Sequence, residues 1–291
     1  MQFRELSRWS FAHSRLIVVA ILICIDLALG AVLYRAEHRV FRVAFLNVGQ
    51  GDAIFVEAPN GNQLLYDAGP PSGAALRELR KVMPFWDRSI DIAVLSHPDM
   101  DHIGGFGDIF RRYDVDLAVV SGASSDNGVH EEIEQLIETK SIDRLVAQRG
   151  MTISMGEGVE ADILYPDHDT TNMETNSASI VLRLTYGSTT FLFSGDLPKS
   201  EERYIVGIEG DRLRAQVLKA GHHGSRTSSG EDWLRTVDPE IVVVSAGLDN
   251  RYGHPHKEVL ALLEQLHIAA LKTFAEGTII FESNGTLLSR R

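Results

Sequence analysis

The sequence predicts an α/β protein of two packed sheets covered by helices, with one transmembrane helix ahead of them. Three observations predict it. Short apolar runs bounded by turn residues recur in two groups from residue 43 onward, helical patterns lie between them, and residues 16 to 34 form an apolar stretch with a single charge. The 291 residues, 44% hydrophobic with only 9 prolines, suffice for one large domain plus an appendage and are not the composition of a disordered chain. The expected division is an anchor with its flanks over residues 1–39 and a folded domain over residues 40–291.

The apolar stretch, LIVVAILICIDLALGAVLY, has about the length that a helix needs to cross a bilayer. Asp26 opposes this, since a carboxylate near mid-membrane costs about 2.5–3.5 kcal/mol on insertion scales, but the other residues outweigh it. A cleaved signal peptide is the rival; the run is longer than a usual signal core and lacks a clear small-residue cleavage pattern. Arg4, Arg8 and Arg15 on one side balance Arg35, Arg39 and Arg42 on the other, so charge leaves the orientation open. The expectation is a single-pass membrane protein with its soluble domain on the extracytoplasmic side.

Beyond the basic stretch 35–42, strands are expected at 43–48, 53–57 and 63–67, with the turn Pro59-Asn60-Gly61 joining the last two into an antiparallel meander. A helical pattern over 74–82 leads to 90–95, nearly all apolar, as in a strand buried on both faces. Further strands are expected at 117–120, 152–154, 161–164, 179–184, 190–193, 216–218, 241–244 and 278–281. Helices fit around Ile109 and at 131–138, 201–206, 232–237 and 257–266, where Val259, Leu260, Leu263 and Leu266 make an apolar stripe.

A formal net charge of -12 argues against holding nucleic acid by bulk electrostatics, because Lys and Arg make most phosphate contacts. An acidic site neutralised by divalent cations can still receive phosphate. Cys24 is the only cysteine, so the chain has neither an internal disulfide nor a thiolate cluster for structural zinc.

Chemistry is expected just after the buried strand 90–95. His97, Asp99, Asp101 and His102 put two imidazoles and two carboxylates within six residues, a compact nitrogen and oxygen ligand set, and Gly104-Gly105 lets the backbone turn closely beside it. A polar helix start capped by aspartates accounts for this density far less well. The apolar strand 191–193 delivers one carboxylate, Asp196, which alone would be an ordinary turn. Leu218-Lys219-Ala220-Gly221-His222-His223-Gly224-Ser225 again sets imidazoles beyond an apolar strand. Adjacent histidines point apart, so at most one need bind metal while the other orients substrate. Asn250, Tyr252, His254 and His256 offer donors to an anionic group, with a structural role for either histidine as the alternative. Six of the 11 histidines fall in these three segments, which favours one convergent site.

HPDMDHIGG at 97–105 resembles the HxHxDH motif of the metallo-β-lactamase superfamily, with Asp99 in place of the central histidine as in its ComEC-type competence branch. VGQGDA at 48–53, LLYDAG at 64–69, NSASIVLRL at 176–184, FLFSGD at 191–196, LKAGHHGS at 218–225 and YGHPH at 252–256 agree. The resemblance runs from about residue 42 to 289, and the combination is specific where single members are not. It implies a metallo-β-lactamase αββα sandwich, which in this chain is preceded by the one N-terminal transmembrane helix expected from the apolar stretch 16–34. It further implies a hydrolase site with two divalent metal ions, zinc or manganese. By this resemblance His97 and Asp99 hold one ion, Asp101 and His102 the second, Asp196 bridges them, and His222 or His223 completes the second site. Asp67 supports the metal loop. Asn176 stands where many members have another histidine ligand, and Asn47 where the ComEC-type pattern has Asp, which alters the loop around Gln50 and Asp52.

The implied activity is a metal-dependent phosphodiesterase or nuclease acting on DNA in a competence, DNA-uptake context. Asp101, His254 and Tyr252 are the expected catalytic groups, the last two as donors to the leaving oxygen or to phosphate. Expected partners are DNA, the membrane through the N-terminal helix, and a membrane channel or other competence component, since the sequence itself supplies no multi-helix channel. The rival readings are a hydrolase of a non-nucleotide substrate, such as an envelope phosphodiester, lactam or ester, and a non-catalytic membrane accessory protein.

Overall fold

The structure, a computed structural model, describes residues 16–27, 30 and 40–291. The chain divides between residues 39 and 40, and each part is described by itself. Residues 16–27 form a helix, α1. The expected transmembrane helix, and with it the single-pass membrane localisation and the extracytoplasmic placement of the domain, is not upheld: among the described residues no helix is long and apolar enough to cross a membrane. The remainder of the expected span, residues 28, 29 and 31–34, lies outside the described residues.

In the second part, two sheets pack face to face. The first contains β1 (Phe41–Phe45), β2 (Ile54–Glu57), β3 (Gln63–Tyr66), β4 (Ser89–Leu95), β5 (Asp114–Val120), β6 (Asp143–Val146), β14 (Ile279–Ser283) and β15 (Leu288–Arg290). Their order is β15-β14-β1-β2-β3-β4-β5-β6. The second contains β7 (Thr152–Gly156), β8 (Val159–Tyr165), β9 (Val181–Tyr186), β10 (Thr189–Phe193), β11 (Val217–Lys219), β12 (Ile241–Val244) and β13 (Ala269–Lys272), in the order β13-β12-β11-β10-β9-β8-β7. Each sheet is antiparallel in one half and parallel in the other. The changes fall at β3, which is antiparallel to β2 and parallel to β4, and at β10, which is antiparallel to β9 and parallel to β11.

The helices α2 (Ala74–Val82), α3 (Met100–Ile103), α4 (Phe106–Arg112) and α5 (Gly128–Lys140) belong with the first sheet. The helices α6 (Lys199–Glu209), α7 (Glu231–Val237), α8 (Lys257–Gln265) and α9 (Thr273–Glu276) belong with the second. The period-2 alternation of the strands sorts side chains into three layers. On β1, Phe41, Val43 and Phe45 enter the core between the sheets, while Ala44 faces the layer with Leu79 of α2, Phe106 and Ile109 of α4 and Ile133 of α5. On β10, Phe191 and Phe193 face inward and Leu192 faces Trp233 and Leu234 of α7. Ring contacts tie the sheets together, Phe45 to Phe193 at 6.0 Å and Tyr66 to Phe193 at 5.3 Å. Burying each such ring stabilises by about 1.5–3 kcal/mol, so the inner layer fixes how the strand ends of the two sheets face one another. Helix, sheet, sheet, helix is the αββα order.

Candidate metal centre

The titratable groups gather where the parallel strands of both sheets end, the usual crevice of an α/β sheet. Asp67 follows β3, Ser96 and His97 follow β4, Asp101 and His102 ride on α3, Asp196 follows β10, His222 and His223 follow β11, and Ser245 follows β12. Close backbone approach permits this. A Cβ at Gly105 would lie 2.0 Å from the Ala68 carbonyl oxygen, so only glycine fits between α3 and the strand end.

His102 and His223 are held from one side and free on the other. His102 Nδ1 is 2.8 Å from Asp67 Oδ2, and His223 Nδ1 donates to the Ser245 carbonyl oxygen at 3.0 Å. These bonds leave both Nε2 atoms aimed at the carboxylates: His102 Nε2 is 3.2 Å from Asp196 Oδ1, and His223 Nε2 is 3.3 Å from Asp101 Oδ2 and 3.5 Å from Asp196 Oδ2. Asp67 in turn accepts from the Ser96 backbone at 2.8 Å and the Ser96 hydroxyl at 2.7 Å. A carboxylate or carbonyl that fixes the tautomer of an imidazole is the usual support behind a metal ligand.

The Nε2 atoms of His97, His102 and His223 and Oδ1 of Asp196 are buried without a hydrogen-bond partner. Orphaned buried polar atoms are costly, and divalent cations bound among them would satisfy them. The donor set fits such an ion. Asp52, His102, Asp196 and His223 each bring a donor atom within 4.8 Å of the others. Asp52, however, faces the Nδ1 side of both rings, at 3.2 Å from His223 and 3.9 Å from His102, and its Oδ2 lies 2.5 Å from Lys219 Nζ. Its oxygens are thus engaged on that side, whereas Asp101 Oδ2 approaches the free Nε2 of His223 at 3.3 Å.

The electrostatics follow from burial opposed by opposite charge. Burial would lower His102, but Asp196 and Asp67 hold it well above its ordinary range. Burial likewise opposes the rise of His223, which Asp196 and Asp52 push up to about 9. For His97 burial, then His102, outweighs the pull of Asp196, Asp67 and Asp101 and takes it down to about 4. Burial works against ionisation of Asp101 and Asp196, yet His223 and His102 keep both below the ordinary carboxylate range. The backbone carries strain here. Asp67, His222 and His223 have φ of 58°, 49° and 55°, left-handed values that cost non-glycine residues about 1–3 kcal/mol each and that cluster at functional sites.

The second expected ion position is more open. His97 is fixed through Nδ1 by Ser96 Oγ at 2.9 Å, with Ser179 Oγ at 3.4 Å, and its Nε2 is 3.8 Å from the half-exposed Asp99. Asn176 opens the turn Asn176–Ala178, and its Oδ1 is buried without a partner. His222 is partly exposed, 3.5 Å from Asp196 Oδ2, and its Nδ1 meets Thr227 Oγ1 at 3.3 Å. His254 stands beside both, its ring 5.5 Å from that of His222 and 6.2 Å from that of His223, whereas Tyr252 is exposed outside it. His256 turns away and accepts from the Arg226 backbone at 3.0 Å. Sequence reasoning assigned no role to Lys219, Ser96 or Ser179, and took the segment that begins at Ser245 as a source of donors to an anionic group, whereas the Ser245 carbonyl is the acceptor that fixes His223. The usable signal was Lys219, a lysine ending an apolar strand.

Residues 46–247 match the model of the metallo-beta-lactamase superfamily. The chain is 29% identical over 253 residues to ComE operon protein 3 of Bacillus subtilis, covering 81% of this chain and 32% of that protein. It is 32% identical over 255 residues to competence protein ComA of Neisseria gonorrhoeae, covering 87% of this chain and 34% of that protein. The chain thus spans about a third of the length of these curated relatives. Among solved structures it is similar to CmlA, a diiron beta-hydroxylase from Streptomyces venezuelae, with a TM-score of 0.53 at 14% identity, covering 80% of this chain and 53% of that one, a likeness of fold.

Proposed function

The chain belongs to the metallo-beta-lactamase superfamily, and on that premise we propose that it is a metal-dependent phosphodiesterase that cleaves DNA in a competence setting. The observation that carries this reading is the convergence of the buried Nε2 atoms of His102 and His223 on Asp196, with Asp101 beside His223 and the buried His97 Nε2 left without a hydrogen-bond partner. Two divalent ions, zinc or manganese, are the group that this donor set fits, with His102, His223, Asp101 and Asp196 at one position and His97, Asp99 and Asp196 at the other. Bound there, such ions supply Lewis-acid activation of water and neutralise charge that develops on phosphate. The share of carboxylate ligands moves the preference toward the harder manganese.

The chain's own residues do the positioning. Asp101 stays ionised, and its partly exposed carboxylate orients the attacking water. His254, lowered to about 4 by burial and by His223 and His222, is neutral near neutral pH. It therefore acts as a hydrogen-bond donor to a phosphate oxygen rather than as a charged acid. His222, also lowered, and the Tyr252 hydroxyl are the remaining donors toward the leaving oxygen. The similarity to competence proteins supports DNA as the substrate and a DNA-uptake component as the partner.

A second reading, a hydrolase of a non-nucleotide substrate such as an envelope phosphodiester, lactam or ester, is favoured by the formal net charge of -12. One experiment separates them. The purified chain is assayed for metal content and then offered single- and double-stranded DNA with manganese or zinc, beside an Asp101→Ala control. Metal-dependent cleavage lost in the control supports the nuclease reading. Bound metal with no cleavage of either DNA transfers the site to the second reading, and a chain that takes up no metal overturns both.

A further inference from the structure

The loop after β12 carries planar side chains that the metal centre does not use as ligands, and they form a ladder leading away from it. His254 stands beside His223, Tyr252 stacks on His254 with centroids 5.5 Å apart and planes 20° apart, and the Arg251 guanidinium lies 4.8 Å over the Tyr252 ring. Arg251 Nη2 also donates to the Tyr252 hydroxyl at 2.5 Å. The ladder is built, not loose. The Asn250 amide donates to the Gly247 and His254 carbonyls at 2.9 and 2.6 Å, and its oxygen accepts from the Tyr252 and His254 backbones at 3.2 and 3.0 Å. One side chain thereby uses its whole hydrogen-bonding capacity to shape the loop.

The outer end of the ladder is open. Tyr252 is 47% exposed and the neighbouring Leu248 is 71% exposed. Arg251 is exposed as well, and the platform borders the centre because His254, on which Tyr252 stacks, stands beside His222 and His223. An exposed aromatic ring with a guanidinium beside it is a surface on which unpaired bases stack, and the same cation can meet a flanking phosphate. A paired base hides its faces within the helix.

We propose that Arg251, Tyr252 and His254 form a stacking platform for an unpaired nucleobase next to the scissile phosphodiester, which makes single-stranded nucleic acid the substrate. This rests on the phosphodiesterase reading above. The platform assigns Tyr252 its ring face, where the reading above uses its hydroxyl.

The test measures binding apart from cleavage. Fluorescein-labelled single strands of thymidine nucleotides, and abasic strands of equal length, are titrated with the full chain in calcium and followed by anisotropy. Cleavage of both strands is measured separately in manganese. The thymidine strand should bind on the order of tenfold more tightly than the abasic one, as stacking of one base provides. That preference should vanish in Tyr252→Ala and persist in Tyr252→Phe, which keeps the ring and lacks the hydroxyl. Equal binding of the two strands by the unaltered protein overturns the platform, as does loss of the preference in Tyr252→Phe or tighter binding of a blunt duplex. A base preference without cleavage of either strand sinks the phosphodiesterase reading and leaves the platform standing.

Discussion

Lys219 Nζ lies 2.5 Å from Asp52 Oδ2, and neither side chain is exposed. Lys219 also donates to the Ala220 carbonyl at 2.6 Å, while Asp52 Oδ1 meets His223 Nδ1 at 3.2 Å. Burial would raise Asp52, but Lys219 and His223 hold it below the ordinary carboxylate range. The lysine thus keeps ionised the carboxylate that, with the Ser245 carbonyl, orients His223 toward Asp101 and Asp196.

Removing one partner of such a pair strands a buried charge. Lys219→Met is expected to destabilise by about 3–5 kcal/mol, because Asp52 is left uncompensated. Lys219→Met with Asp52→Asn removes both charges and should recover more than half of that loss. Urea unfolding of the three proteins checks it; a double variant no more stable than Lys219→Met would show that the pair is not what the single substitution breaks.

Glu202 on α6 is a buried carboxyl group behind the loop that carries His222 and His223. It accepts from the Ser229 and Gly230 backbones at 2.6 and 2.8 Å, and Ser229 Oγ accepts from the Gly221 backbone at 3.1 Å. Burial raises Glu202 to about 7 in spite of those bonds. The folded state therefore binds a proton that the unfolded chain, with a glutamate near 4.5, has released. Stability from this group is fully present below about 4.5 and is lost as pH rises through about 7, by roughly 3 kcal/mol. Unfolding free energies measured from pH 5 to 8 should fall more steeply in the natural chain than in Glu202→Gln, and parallel curves would remove Glu202 from the account.

Metal uptake should release protons. His223, raised to about 9, and His102, raised well above its ordinary range, are both charged near pH 7 without an ion and must be neutral to bind one. The charge on His223 stabilises the metal-free fold fully below about 6.5, and that contribution is lost as pH rises through about 9. Metal affinity should accordingly increase between pH 6.5 and 9. Calorimetric titration with manganese in buffers of different ionisation heat measures the protons directly; a release of none at pH 7.5 contradicts the ligand assignment. Asp67→Asn, which weakens the support behind His102, should lower affinity by about 10–100-fold.

Local signals were legible in the sequence and distant ones were not. The periodicity of residues 74–82 and the apolar run before His97 mark α2 and β4, because each repeats its own pattern over several residues. β6, β13 and β15 were not expected. Their residues are exposed or half-buried throughout, with no alternation, since each strand lies at a sheet edge. The density of HPDMDH announces ligands on one short segment, whereas the partnership of Lys219 and Asp52 joins β11 to the loop after β1 and exists only once both sheets are packed. The apolar run at 16–34 predicts a membrane span that is not upheld, since no helix among the described residues is long and apolar enough to cross a membrane; hydropathy reports composition and does not by itself set helix length.

Adjacent His222 and His223 left the sequence with two equivalent ligands, and their surroundings separate them. His223 is buried, its Nδ1 is committed to Ser245 and Asp52, and its Nε2 faces two carboxylates; His222 is 28% exposed on its side chain and meets only Asp196 among the acids. His223→Ala should therefore lose metal, with affinity reduced by at least tenfold. His222→Ala should retain it and lose activity toward a phosphodiester instead, because the exposed ring can reach substrate. Metal content after dialysis distinguishes the two variants. If His222→Ala is the one that empties, the ligand assignment is reversed, and the left-handed backbone at both residues then serves to present His222 to the ion. If both retain metal, Asp101, His102 and Asp196 suffice as ligands and the strained turn serves substrate rather than metal.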